Sequence, residues 1–186
     1  MGIYLEDYAF VLDYLQQGRP DDRSYRKTPI IIAIGENEFK LLELIPKTNA
    51  ICAVGDRIYV GSNLDLRTKI LSVKRRISYS DLTNAAMNEL QFILESIVNH
   101  HEERFVGFFN TAQPINARLH SLELLPGLGN KTMWAIVEER KKKPFESFAD
   151  LTGRVKTLHN PQKMIAGRII QELEERHEKY KLFVSR

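Results

Sequence analysis

Near residue 80 the spacing of the apolar residues changes character, and that change constrains the fold more than any single motif. Over residues 8–76, short apolar runs rich in Ile, Val, Leu and Tyr alternate with turn residues, the pattern of β-strands. Strands are expected near 8–15 (YAFVLDYL), 29–35 (PIIIAIG), 39–45 (FKLLELI), 57–61 (RIYVG) and 68–76 (TKILSVKRR), and these five suit a small closed barrel. Gly35-Glu36-Asn37 marks a hairpin and Gly55-Asp56 a tight turn. In the first strand Tyr4, Tyr8, Val11, Leu12 and Leu15 also fit a helical stripe, so both readings stand there. Beyond residue 80, Met87, Leu90, Ile93, Leu94, Ile97 and Val98 recur at three- and four-residue steps and line one face of a helix. Helical character runs through EERFVGFF to about residue 109, Pro114 opens a further helix from its first turn, and no strand is expected in this half. The chain therefore reads as α+β, with a β-barrel domain over 1–79, a helical connector over 80–112 and an all-α domain over 113–186.

Charge is uneven along this layout. Residues 1–79 hold 12 basic and 10 acidic side chains, 80–111 hold 1 and 5, and 112–186 hold 14 and 9, so the formal charge of +3 sits mainly at the C-terminal end. A basic working surface is expected there. The single cysteine, Cys52, lies in the apolar run ICAV, which excludes an intramolecular disulfide and a cysteine-rich metal site. The N-terminal MGIYLEDYAF is acidic where a secretory signal is basic, and no apolar run approaches the roughly 20 residues that span a bilayer. A cytoplasmic protein without membrane contact is the expectation.

The stretch LLPGLGNKT, residues 124–132, carries the functional question. A Walker-type phosphate loop needs Gly before its Lys and a buried strand before its loop. Here Asn130 precedes Lys131, and INARLHSLELL has helical spacing, with Leu119, Leu122 and Leu125 on one face. A helix, a turn at Pro126-Gly127-Leu128-Gly129 and a second helix from Lys131, with Ile136 and Val137 packing back, fits better. The glycines permit close approach, and the free N–H groups at the start of the second helix favour an anion. Residues 122–137, LELLPGLGNKTMWAIV, resemble the helix-hairpin-helix motif, Met133 replacing its usual small residue. The resemblance implies phosphate contacts from Gly127, Leu128, Gly129, Asn130, Lys131 and Thr132 without base reading, and a monovalent cation at the 127–129 turn carbonyls. The plainer alternative is a C-cap glycine pair that merely connects two helices.

A degenerate second unit comes after it. Pro144 stops the helix ending in ERKKK, Ser147 and Asp150 form a capping box, and Asn160-Pro161 starts another helix. In the family, paired units straddle both strands of a duplex. Here Leu158-His159-Asn160-Pro161 replaces Gly-apolar-Gly, which restricts backbone approach; Lys156, Lys163 and Arg168 are candidates to compensate. Arg140, Lys141, Lys142 and Lys143 add long-range attraction.

An enzymatic rival exists. Base-excision glycosylase-lyases carry a similar L-P-G-x-G-x-K-T stretch whose Lys, here Lys131, attacks an abasic sugar. Their catalytic Asp would fall at Ala149, one short of Asp150, and neither their V-D-T-H context nor their iron–sulfur cysteines are present. His100 and His101 are adjacent, so a helix points them about 100° apart and away from a shared metal. No catalytic residue, metal or cofactor is expected. The loop GRPDDRSYRK interleaves Asp21 and Asp22 with Arg19, Arg23, Arg26 and Lys27, a solvated cluster whose surplus arginines are candidate phosphate contacts.

Five-stranded OB-type barrels bind single strands through a basic groove and aromatic platforms. Tyr25, Tyr59 and Tyr79 are the candidate platforms, and Lys74, Arg75 and Arg76 the candidate cations. Taken together, KRRISYSDL, LHSLELLPGLG and EERKKKPFESF resemble an uncharacterised archaeal family, a domain of unknown function described as a predicted OB-fold nucleic-acid-binding protein. The resemblance spans roughly residues 4–176 and is most specific over 74–81 and 118–148. It implies an OB-like barrel followed by a tandem helix-hairpin-helix domain, a nucleic-acid partner (RNA or DNA), and no reaction. A protein–protein adaptor on ribosomal or replication machinery is the other reading. Oligomeric state is left open.

Overall fold

The computed structural model describes residues 6–23, 26–175 and 177–185. Its contacts form two compact units, one of residues 1–93 with 172–186 and one of residues 94–171. Among the described residues, no helix is long and apolar enough to cross a membrane.

The first unit is built on a curled five-stranded antiparallel sheet, a half-barrel, of β1 (Tyr8–Leu15), β2 (Ile30–Gly35), β3 (Leu41–Pro46), β4 (Arg57–Tyr59) and β5 (Ile70–Arg76) in the order β4-β1-β2-β3-β5. The strand reading of residues 8–15 holds; Tyr4, part of the rival helical stripe, lies outside the described residues. The expected closed barrel does not form, since β4 and β5 remain as edges among the described residues. Each neighbouring pair is antiparallel, so β4 and β5 run in the same direction and no antiparallel ladder can join them. Ala9, Val11, Ile31, Ala33, Leu44 and Ile58 belong to the core on one face, with Cys52 half-buried against it. Every residue of the central strand β2 is buried.

One side chain in this sheet is out of keeping with its neighbours. Glu43, in the apolar strand LLELIP, is fully buried. Arg75 donates to it from Nε (2.8 Å) and Nη2 (3.1 Å), Arg19 donates from Nε, and Lys74 Nζ stands 4.0 Å away. Burial alone would raise the Glu43 pKa, but these arginines hold it below the usual carboxylate range.

After β5 comes α1 (Asn84–His100), followed by α2 (Glu102–Thr111). The helical half is then interrupted, contrary to expectation, by a small hairpin of β6 (Pro114–Asn116) and β7 (Leu119–His120). Pro114 pairs with His120 instead of opening a helix. Local side-chain bonds compete with the helix here: Asn116 Oδ1 accepts the Arg118 N–H (2.8 Å), and Ser121 donates to the Gln113 carbonyl from both N–H (3.1 Å) and hydroxyl (2.8 Å). Leu119, Leu122 and Leu125 therefore share no helical face. Beyond β7 the chain makes only a 3-10 turn, Ser121–Leu124, so the second half is not all-α.

The remaining helices are α3 (Asn130–Lys142), α4 (Phe148–Arg154) and α5 (Pro161–Glu174). At α4 the expected capping box is half made. Ser147 Oγ accepts the Asp150 N–H (3.0 Å), but the Asp150 carboxylate accepts from Glu146 N–H (3.1 Å) rather than from Ser147.

Because Glu43 is fully buried, replacing it with Ala is expected to cost about 3 kcal/mol of stability. Arg75→Ala should cost about 1 kcal/mol, since that side chain is half exposed and Arg19 stays on the carboxylate. Urea unfolding of both variants checks this; equal losses would contradict a shared cation cluster.

Candidate nucleic-acid interface

The turn between the 3-10 segment and α3 is held from inside. Leu122, Leu125 and Leu128 are buried, and successive N–H groups of Leu125 and Leu128 donate to the carbonyls of Leu122 and Leu125 (3.1 Å each). Gly127 then takes φ +84°, a left-handed conformation that a side chain would strain. The turn rests on α5: a Cβ on Gly167 would lie 3.1 Å from Pro126 Cγ, and one on Gly127 would lie 3.8 Å from Met164 Cε.

Gly129 is the N-cap of α3 and provides no side-chain cap. The first intrahelical bond runs from Met133 N–H to the Gly129 carbonyl (3.0 Å), so the N–H groups of Asn130, Lys131 and Thr132 open the helix without an intrahelical acceptor. Gly127, Gly129, Asn130 and Lys131 are exposed. A Cβ on Gly129 would meet no atom within 4 Å, so the space beside this residue is open. Leu128 is buried.

The second expected unit mirrors the first at its turn. Leu158 N–H donates to the Val155 carbonyl (3.0 Å), as Leu128 does to Leu125, and both Val155 and Leu158 are buried. Asn160, φ +49°, stands just before α5. Thr132 Oγ1 donates to Thr157 Oγ1 (3.0 Å), which brings the segment carrying Lys156 against the first turn of α3. Lys163 precedes Met164 on α5, the helix beneath the turn. Lys131, Lys156 and Lys163 are exposed, and none has an ion-pair partner among the described residues. Arg168, by contrast, is buried.

The other candidates are differently placed. Arg140, Lys141, Lys142 and Lys143 lie at the far end of α3, about 15 Å along the helix from Lys131. Arg140 Nη1 donates to the Phe109 carbonyl (3.0 Å). Lys141, Lys142 and Lys143 pair with Glu138 (2.6 Å), Glu139 (2.5 Å) and Glu146 (2.8 Å). Such exposed pairs exchange readily, but they cancel most of the local charge. In the first unit Arg75 is engaged by Glu43, as is Arg19 from the loop, while Arg76 has no ion-pair partner among the described residues. Tyr59 packs edge-to-face on Tyr8 (5.3 Å between ring centres), and its hydroxyl accepts the Asn63 N–H (3.2 Å). Tyr79 is half-buried; Tyr25 lies outside the described residues.

Asp150, the residue nearest the glycosylase aspartate, accepts from Glu146 N–H and pairs with Arg154 (3.2 Å). Among the described residues no group of three His, Cys, Asp or Glu side chains is placed to hold a metal ion.

Sequence reading missed Trp134. It is the chain's only tryptophan, it is 55% exposed, and it stands one turn after Lys131 on α3. Its signal was available, because Met133 and Ile136 define the packed side of α3 and position 134 falls away from it. It also missed His120, whose Nδ1 accepts the Leu122 N–H (3.1 Å) while its own backbone N–H donates to Glu123 (2.8 Å). Burial, then the nearby Arg140 charge, pushes the His120 pKa below its ordinary 6.5.

A family described as "Protein of unknown function (DUF655)" matches residues 5–185. An uncharacterised protein of Methanocaldococcus jannaschii is 46% identical over 180 residues, covering 96% of this chain and 80% of the relative. A crystal structure of an Archaeoglobus fulgidus protein, attributed to the same family, superposes with a TM-score of 0.90 at 46% identity, covering 97% of this chain and all of that one.

A histidine whose folded pKa is depressed contributes stability above its unfolded pKa and loses it as pH falls, because the unfolded chain takes up the proton first. Between pH 8 and pH 5 the wild-type melting temperature should therefore drop further than that of His120→Asn, which keeps a capping oxygen but does not titrate. Parallel curves would contradict a neutral capping histidine.

Proposed function

Because the chain belongs to the DUF655 family, whose description assigns no activity, we propose from its own geometry that it binds nucleic-acid backbones without reading sequence and without catalysing a reaction. The observation that carries this is the start of α3: three successive N–H groups without a side-chain cap, behind an open Gly129, with Lys131 beside them. A phosphate oxygen there meets aligned donors and the positive end of the helix dipole. The reading takes the two turns as a tandem helix-hairpin-helix, one with glycines and one without. It also places a monovalent cation between the 127–129 carbonyls and a phosphate. Trp134 adds a face on which a base or sugar stacks. The curled sheet of the first unit is read as OB-like, with Arg76 its available cation. Both features, and a cytoplasmic setting, belong to the proposal.

A protein-adaptor reading draws on a different observation. Ile51 (81% exposed), Leu64 (67%) and Leu71 (63%) leave apolar surface on the first unit. Tight capture of one partner protein, with no mobility shift on any nucleic acid, would favour it.

Binding of duplex and single-stranded oligonucleotides, followed by anisotropy over a salt series and by Trp134 fluorescence, tests the main reading. Affinity should fall steeply with salt. Lys131→Ala should weaken binding to all sequences alike by about tenfold and flatten the salt slope by about 1. Gly129→Ala should cost less than about 1 kcal/mol of stability, since its Cβ has room, yet weaken binding by a similar factor. Loss confined to one sequence, or unchanged binding by both variants, would contradict the mechanism.

A further inference from the structure

A cavity of about 640 Å³ lies within the first unit, between the β2–β3 turn, the end of β5 and the C-terminal segment. Phe39, Leu41, Ile77 and Val184 form its apolar wall, all of them buried. Arg76, Tyr79 and Lys181 belong to its polar lining.

The charges along the lining divide into engaged and available groups. Asp81 accepts from the Ser78 N–H (2.9 Å) and hydroxyl (2.7 Å). Glu172, fully buried, accepts the N–H groups of Leu182 (2.6 Å), Phe183 (3.0 Å) and Val184 (2.9 Å), which fixes the C-terminal segment as a wall. Arg75 is bonded to Glu43. Arg76 and Lys181 have no ion-pair partner among the described residues. Nearby, Lys40 Nζ donates to the Ser185 carbonyl (3.1 Å), and burial followed by the charge of Arg76 presses its pKa down against the opposing charges of Glu38 and Glu6. Arg76 and Lys181, both lining the cavity, favour an anion there.

An inorganic anion alone would leave most of a cavity of this size unfilled. The volume falls in the range of about 300–1,000 Å³ typical of sites for small organic ligands. We propose that this cavity binds a nucleotide, its phosphate between Arg76 and Lys181 and its base between Tyr79 and the apolar wall. The site is built entirely from the first unit and does not rest on the hairpin reading. A free nucleotide and a nucleotide within a single strand share this chemistry.

The test uses the full-length protein with the four ribonucleoside monophosphates, orthophosphate and a six-nucleotide single-stranded RNA, read by calorimetry and amide chemical shifts. At least one monophosphate should bind saturably and shift the amides of Ile77–Tyr79 and Lys181–Val184. Arg76→Ala and Lys181→Ala, both at solvent-accessible positions, should each weaken it about tenfold. Tighter RNA binding lost with the same two variants assigns the site to a strand; RNA no tighter than the monophosphate assigns it to the free nucleotide. Absence of saturable binding by every nucleotide would overturn the proposal. So would orthophosphate binding as tightly as any nucleotide with Tyr79→Ala indifferent.

Discussion

A carboxylate removed from water must be met by cations or by N–H donors, and Glu43 sets that demand on β3 of the sheet. It draws Arg19 from the β1–β2 loop, Arg75 from β5 and, at 4.0 Å, Lys74. Two other buried carboxylates accept from backbone: Glu6 from Asn37, Glu38 and Lys40 at the β2–β3 turn, and Glu172 from residues 182–184. Burying such groups unpaired would cost several kcal/mol each. The fold therefore determines which cations are tied to structure, and only the remainder can meet a ligand.

That sorting explains why sequence read the charges less well than the elements. The five strands and α1 were legible because their apolar runs and helical spacing are local signals bounded by turn residues. Whether the sheet closes was not, since it depends on the relative direction of β4 and β5, which no local pattern carries. The β6–β7 hairpin was hidden because Leu119, Leu122 and Leu125 happen to fall at helical spacing, while the bonds from Asn116 and Ser121 that break the helix depend on context. KRR looked like one basic patch. In the structure Arg75 is tied to Glu43 and Lys74 stands near it, and the strand FKLLELI gave no hint that its Glu points into protein. The ERKKK run was misleading in the same way, its lysines matched by glutamates three residues away.

At LLPGLGNKT the local sequence was a better guide, because glycine placement and buried leucines dictate the turn directly. Even where the first arm proved to be a 3-10 turn, Leu122, Leu125 and Leu128 still anchor it, and Gly127 still takes the left-handed conformation. Uncapped amides, an open Gly129 and lysines at 131, 156 and 163 that have no ion-pair partner among the described residues lie near that turn. In the first unit Arg76 and Lys181 instead line a cavity with an apolar wall. An edge of amides suits a repeating backbone phosphate, and a cavity suits a single ligand.

The central claim is that the amides opening α3 receive phosphate. Titrating isotopically labelled protein with a duplex oligonucleotide at low ionic strength tests it most directly. The account predicts saturable shifts at the amides of Gly129, Asn130, Lys131 and Thr132, reversed by added salt. Binding that leaves those four resonances unmoved would contradict it.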